Sequence, residues 1–155
     1  ALCRIDRRDL AYELLFQTKT PSWLAEVKHG ATTIWESWIS YDENDHPLPT
    51  SFNHYAYGVV ADWMYHEIGG ISQTSDSIGY QHLIFKPSIG FGVDWAKREY
   101  ETSQGLAKCA WKVNDGIFSI AVDIPANSRG TVIMPDGRRL ELGSGHYEYD
   151  CQLEH

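Results

Sequence analysis

Residues 106–124 read LAKCAWKVNDGIFSIAVDI, which is two runs of alternating apolar and polar residues joined by Asn114-Asp115-Gly116. Alternation with a period of two is typical of strands that bury one face. An Asp-Gly pair between two such runs indicates a tight hairpin turn. The sequence therefore predicts two antiparallel strands, over residues 106–113 and 118–124.

The same period continues on both sides of this hairpin. It predicts further strands over residues 82–87, 93–102, 131–134, 138–142 and 146–149. Short turn signals rich in Gly, Ser and Pro separate these runs, and no helical pattern lies between them. About seven strands at regular spacing are typical of a sandwich. We therefore predict an antiparallel β-sandwich over residues 81–152, preceded by a linker at 72–80.

The N-terminal part, residues 1–71, has a helical period instead. Apolar residues recur at helical spacing and predict helices over 9–16, 23–28 and 53–68. Asp6 or Asp9 is the expected N-cap of the first. Apolar and aromatic side chains occupy several faces of the last helix, which predicts that it is buried among other helices.

Composition excludes several classes of protein. The 155 residues are 43% hydrophobic and 22% charged, which excludes disorder as the main state. The formal net charge is −8, so no nucleic-acid partner is expected. No run approaches the roughly 18 apolar residues that span a membrane, so no membrane partner is expected either. The six Trp and nine Tyr suit either sugar-binding surfaces or a core.

The chemistry-bearing residues lie between the predicted helices. Glu36 stands between Trp35 and Trp38, where a carboxylate can be poised as a base, or can instead hydrogen-bond a helix N-terminus. His54 is either a ligand of a sugar hydroxyl or a capping or core histidine. Residues 42–45 (DEND) lack the EF-hand pattern and are more typical of a solvated loop. Three cysteines without a CxxC pair indicate neither a disulfide framework nor zinc, and we predict no metal and no cofactor.

Several ordered motifs resemble the C-terminal part of glycoside hydrolase family 78, the α-L-rhamnosidases. The motifs are residues 30–38 (GATTIWESW), 51–58 (SFNHYAYG), 69–71 (GGI), 79–82 (GYQH) with 86–87 (KP), 95–97 (WAK), 124–127 (IPAN) and 143–147 (GSGHY). The resemblance implies an (α/α)6 catalytic barrel followed by a β-sandwich. Residues 1–71 would then be the last helices of that barrel, and residues 153–155 are expected to be the remnant of a tag.

The resemblance also implies a reaction, the hydrolysis of terminal α-L-rhamnose from glycosides with inversion. Inversion uses two carboxyl groups roughly 6.5–9.5 Å apart with a water between the base and the sugar. Glu36 matches the general base and His54 a residue that contacts rhamnose, while Trp35 and Trp38 would be walls of the pocket. The acidic motif that supplies the general acid is absent from this sequence, so the chain alone is expected to be inactive.

A rival hypothesis is a non-catalytic carbohydrate-binding or structural β-sandwich with a helical extension, because fold alone does not decide function. The expected partners are a rhamnose-containing glycoside and the remainder of the parent polypeptide. The rest of a barrel would cover apolar residues of 53–68. Because exposed apolar surface drives association, these residues also predict a homo-oligomer. The sequence leaves the compartment open, and the resemblance implies a secreted or periplasmic parent.

Overall fold

A computed structural model describes residues 2–5 and 7–153 of the chain. It divides into two compact units, Ala1–Asp62 and Trp63–His155, called the first and second units below. Asp6, named as an N-cap candidate, lies outside the described residues. The same holds for Glu154 and His155 of the expected tag remnant.

The first unit contains two short helices after a 3-10 turn at Leu2–Ile5: α1 (Arg8–Phe16) and α2 (Trp23–Lys28). The prediction that Asp9 caps α1 was wrong, because Arg7 holds the N-cap position and no side chain caps it. Asp9 lies inside the first turn, and its carboxylate accepts a hydrogen bond from Arg7 at 2.8 Å. Ser22 does cap α2, since its Oγ accepts the Ala25 N–H at 3.1 Å.

The long helix predicted over 53–68 was wrong in its first half. The chain forms turns there, and only α3 (Val60–Trp63) and a π-helical turn (Met64–Ile68) are helical. The Ser51 Oγ accepts the Asn53 N–H at 3.3 Å and the His54 Nδ1 accepts the Ala56 N–H at 3.1 Å. These side chains bind backbone groups that a continuing helix would need.

Apolar side chains of this segment are exposed, as expected for residues that the rest of a barrel would cover. Tyr55 is 87% exposed and Val59 is 73% exposed, and Met64 and Tyr65 are exposed as well. The expectation of a homo-oligomer through this apolar surface stays a prediction.

The second unit is built from two four-stranded sheets, with the strand orders β1-β2-β6-β7 and β3-β4-β5-β8. The strands are β1 (Ile71–Gln73), β2 (His82–Phe85), β3 (Trp95–Thr102), β4 (Gly105–Asn114), β5 (Ile117–Ile124), β6 (Arg129–Ile133), β7 (Arg139–Leu142) and β8 (Gly145–Gln152). The predicted class, a helical part followed by a β-sandwich, is confirmed. One detail was wrong, because β2 and β6 pair in parallel.

The core of the second unit lies between the buried faces of both sheets. Its side chains include Leu83, Phe85 and Val132 of the first sheet and Cys109, Trp111, Phe118 and Val122 of the second. Burying each large apolar side chain contributes roughly 1.5–3 kcal/mol. Burial also raises the pKa of the Cys109 thiol to about 12, so this thiol stays protonated at neutral pH.

Arg98 of β3 points into this unit and is only 6% exposed. Its Nη1 donates hydrogen bonds to the Tyr65 carbonyl at 2.7 Å and to the Ile71 carbonyl at 2.6 Å. The guanidinium carbon lies 5.1 Å from the centre of the Tyr65 ring and 5.0 Å from that of Tyr100. One cation therefore ties the Met64–Ile68 turn and β1 to the second sheet.

Of the helices in residues 2–5 and 7–153, none has the length and apolar character needed to cross a membrane.

Candidate active site

Backbone pairing brings two distant segments of the first unit together. The Glu36 N–H donates to the Ser51 carbonyl at 2.9 Å, and the His54 N–H donates to the Ile34 carbonyl at 2.8 Å. The Thr33 hydroxyl adds a bond to the Phe52 carbonyl at 2.5 Å. The two motifs that flank the irregular loop therefore lie side by side.

Glu36 is exposed, and one of its two carboxylate oxygens is held in place. Its Oε2 accepts the Ser51 N–H at 2.8 Å. Ser51 lies before a bend and not at the start of a helix, so the alternative role of capping a helix N-terminus is not seen. Among the described residues, no group donates a hydrogen bond to the other oxygen, Oε1. This arrangement orients the carboxylate and leaves Oε1 free to accept a proton from a water.

His54 is half-buried, and its ring is fixed by two contacts. Its Nδ1 accepts the Ala56 N–H at 3.1 Å, and the ring stacks on Tyr55 with 4.8 Å between ring centres. An Nδ1 that accepts a hydrogen bond carries no proton, so the neutral ring has its N–H at Nε2. Within the described part of the chain, Nε2 has no partner. It can therefore donate a hydrogen bond to a ligand.

The two tryptophans of the motif differ in burial. Trp35 is 5% exposed, and its ring packs against Phe52 at 4.9 Å and Tyr41 at 5.4 Å between centres. Trp38 is half-buried and stacks on Tyr57 with 3.9 Å between centres. Trp35 thus anchors the backbone that carries Glu36, whereas Trp38 keeps an accessible part. Their roles as pocket walls stay predictions.

Glu26 of α2 is a residue that sequence reasoning missed. It is 4% exposed, its Oε2 accepts the Trp35 N–H at 3.3 Å, and its Oε1 is buried without a hydrogen-bond partner in the described chain. Burial raises the pKa of this carboxyl group, and the bond from Trp35 opposes that shift. Glu26 lines a cavity of about 180 Å³ together with His29, Trp35 and Tyr41. No sequence signal marks it, because a lone Glu on a short helix usually faces solvent.

The acidic loop at residues 42–45 is organised by its own backbone. The Asp42 Oδ1 accepts the N–H groups of Asn44 at 2.8 Å and of His46 at 2.9 Å, which is an Asx turn. Over residues 2–5 and 7–153, no three His, Cys, Asp or Glu side chains are grouped so as to hold a metal ion.

Two family models match the chain in succession. Residues 1–68 match the bacterial alpha-L-rhamnosidase 6 hairpin glycosidase domain. Residues 70–148 match the bacterial alpha-L-rhamnosidase C-terminal domain.

Curated relatives agree with these models. An alpha-L-rhamnosidase from Streptomyces avermitilis is 35% identical over 82% of this chain, and one from Alteromonas sp. is 34% identical over 83%. The chain covers only 12% and 14% of these two proteins, respectively. It thus corresponds to a small part of each relative.

Solved structures lead to the same assignment. The alpha-L-rhamnosidase of Aspergillus terreus matches 96% of this chain with a TM-score of 0.89 and 35% identity, and the chain covers 18% of it. The Streptomyces avermitilis enzyme complexed with L-rhamnose matches 97% with a TM-score of 0.91 and 30% identity, and 17% of it is covered. The chain therefore belongs to the bacterial alpha-L-rhamnosidase family, with matches to its 6 hairpin glycosidase domain and to its C-terminal domain.

Proposed function

We propose that this chain is the C-terminal part of an inverting α-L-rhamnosidase in which Glu36 is the general base. The observation that carries the proposal is the pairing of residues 34–36 with 51–54. It places on adjacent segments a carboxylate oxygen that can accept a proton and, at His54, an N–H that can donate a hydrogen bond. The relatives named as alpha-L-rhamnosidases, one of them complexed with L-rhamnose, support the substrate class.

In this proposal, Glu36 removes a proton from a water as the water attacks the anomeric carbon of rhamnose. The Ser51 N–H holds Oε2, so that Oε1 faces the water. The Nε2–H of His54 donates to a hydroxyl of the bound sugar, and the accessible part of Trp38 forms a wall of the pocket. A second carboxyl group protonates the leaving oxygen from the opposite face of the sugar ring. That group belongs to the remainder of the parent polypeptide.

The test uses the parent enzyme with Glu36→Gln, which removes the proton acceptor and keeps the shape. We expect kcat on an aryl α-L-rhamnoside to fall by on the order of 10²–10⁴-fold with little change in KM. Glu43→Gln is the matched control, because Glu43 is an exposed carboxylate of the same unit and carries no proposed role. The 155-residue chain alone should show no turnover, because it lacks the general acid.

Azide provides an independent readout of the same role. It is already a nucleophile and needs no base, so it should partly restore turnover by Glu36→Ala and yield β-rhamnosyl azide. An α product, or a near-normal kcat for Glu36→Gln, would show that Glu36 is not the inverting base. Turnover by the isolated chain that disappears on Glu36→Gln would contradict the need for a second carboxyl group.

The second candidate function is carbohydrate binding by the sandwich. It is favoured by one specific observation, a groove with an exposed tryptophan on the outer face of the β3-β4-β5-β8 sheet.

A further inference from the structure

A groove of about 1400 Å³ runs over the outer face of the β3-β4-β5-β8 sheet. Its floor consists of small side chains at the centre of the sheet, where Ala110 of β4 lies directly opposite Ala121 of β5. Ser119, two residues before Ala121, extends this floor. These small residues leave a depression between longer side chains, which belong to the outer strands and, at Lys112, to the central strand β4.

One rim of the groove is aromatic and cationic. Trp95 of β3 is 70% exposed and pairs across the sheet with Lys112, which is exposed as well. Lys97 lies one outward position further along β3, and its Nζ contacts Glu99 at 3.1 Å. Within the described part of the chain, neither the Trp95 indole N–H nor the Lys112 ammonium group has a hydrogen-bond or ion-pair partner. This rim thus offers a flat ring and unused donors.

The opposite rim is anionic. Glu148 of β8 pairs with Ala121 and Asp150 pairs with Ser119, so both carboxylates border the floor. Both side chains are exposed. Only β5 lies between Lys112 of β4 and Asp150 of β8, so this donor and this acceptor are about two strand spacings apart, or roughly 10 Å.

We propose that this groove binds a short stretch of a neutral, rhamnose-containing oligosaccharide. Sugar hydroxyls both donate and accept hydrogen bonds, so they match ammonium groups on one side and carboxylates on the other. An exposed indole can stack on the C–H face of a sugar ring. A polyanion would be repelled by Glu148 and Asp150, and a protein partner would need a wider apolar patch than Trp95 supplies. The choice of rhamnose rests on the proposed function.

The test is a titration of the ¹⁵N-labelled 155-residue chain with a neutral α-L-rhamnose tetrasaccharide, followed by NMR. We expect shifts of the Trp95 indole N–H and of the Ala110 and Ala121 amides. Trp95→Ala should weaken binding by about tenfold. Lys112→Ala should weaken it by about threefold. Lys108→Ala is the matched control and should bind normally, because Lys108 lies on the same strand and face but outside the groove, with its Nζ 3.9 Å from Asp123.

Several outcomes would overturn the proposal. One is that the NMR signals of groove residues do not shift up to roughly 10 mM tetrasaccharide. The others are that only signals of the first unit shift, or that Trp95→Ala binds normally. If the spectrum of Trp95→Ala shows loss of fold, Trp95→Phe keeps a flat ring and should bind within about threefold of the original chain. Failure here is separable from failure of the proposed function, because Glu36 lies in the other unit and is tested by turnover of the parent enzyme.

Discussion

Arg98→Met should destabilise the second unit strongly, because it removes the buried donor of two hydrogen bonds and keeps an apolar stem. The Tyr65 and Ile71 carbonyls lose a charged donor at 2.7 and 2.6 Å. Each such bond contributes about 1.5–3 kcal/mol. The gain from no longer burying a guanidinium group, whose Nε has no partner in the described chain, offsets part of this loss. We expect the free energy of unfolding to fall by about 2–4 kcal/mol.

The assay follows the amide signals of β4 and β5 by NMR as urea is raised, so that only the second unit is reported. With a urea slope of about 2 kcal/mol per M, the midpoint should fall by roughly 1–2 M. Lys97→Met is the matched control, since Lys97 is an exposed cation next to Arg98 on the same strand, and it should change stability by less than about 0.5 kcal/mol. A shift for Arg98→Met no larger than that of Lys97→Met would refute the reasoning.

Two further predictions concern single residues. Burial raises the pKa of Glu26 in the folded state above its pKa in the unfolded chain. The contribution of Glu26 to the stability of the first unit is therefore fully present below the unfolded pKa, and it is lost as the pH rises through the folded pKa. The thermal unfolding temperature of the original chain should therefore fall between about pH 4 and pH 8, and it should fall less in Glu26→Gln. The same pH profile in the variant and in the original chain would contradict this. Gly70→Ala should destabilise the second unit by more than Gly137→Ala, measured in the same urea assay. Both glycines have positive φ, but a Cβ at Gly70 would lie 2.9 Å from the Pro87 nitrogen while one at Gly137 meets nothing within 4 Å. Equal losses would show that the contact with Pro87 is relieved without cost.

The strands were predictable because their pattern is local. Residues 106–113 and 118–124 each alternate, and the Asp-Gly turn between them sets the register of β4 against β5. β1 has only three residues, too few to show a period, and it was missed. The parallel pairing of β2 with β6 was also missed, since it depends on contacts between segments that are far apart in sequence.

The helical part and the site were predicted less completely, for related reasons. The spacing of aromatic residues in 53–68 fits a helix, but it does not show that Ser51 and His54 would bind nearby backbone N–H groups. Glu36 and His54 were singled out from motifs, whereas the bond that orients Glu36 joins it to a residue fifteen positions away. Burial of Glu26 depends on the aromatic side chains packed around Trp35, which no local pattern describes.

The parallel pairing of β2 with β6 has a consequence for synthesis on the ribosome. His82 pairs with Arg129, so β2 leaves the ribosome roughly 50 residues before its partner. At about 5–20 residues per second, this delay lasts on the order of 2–10 s. During that time β1 can cover one edge of β2, because the two are antiparallel neighbours. The other edge, together with the apolar side chains of Leu83 and Phe85, stays open to chaperones or to other nascent chains until β6 arrives.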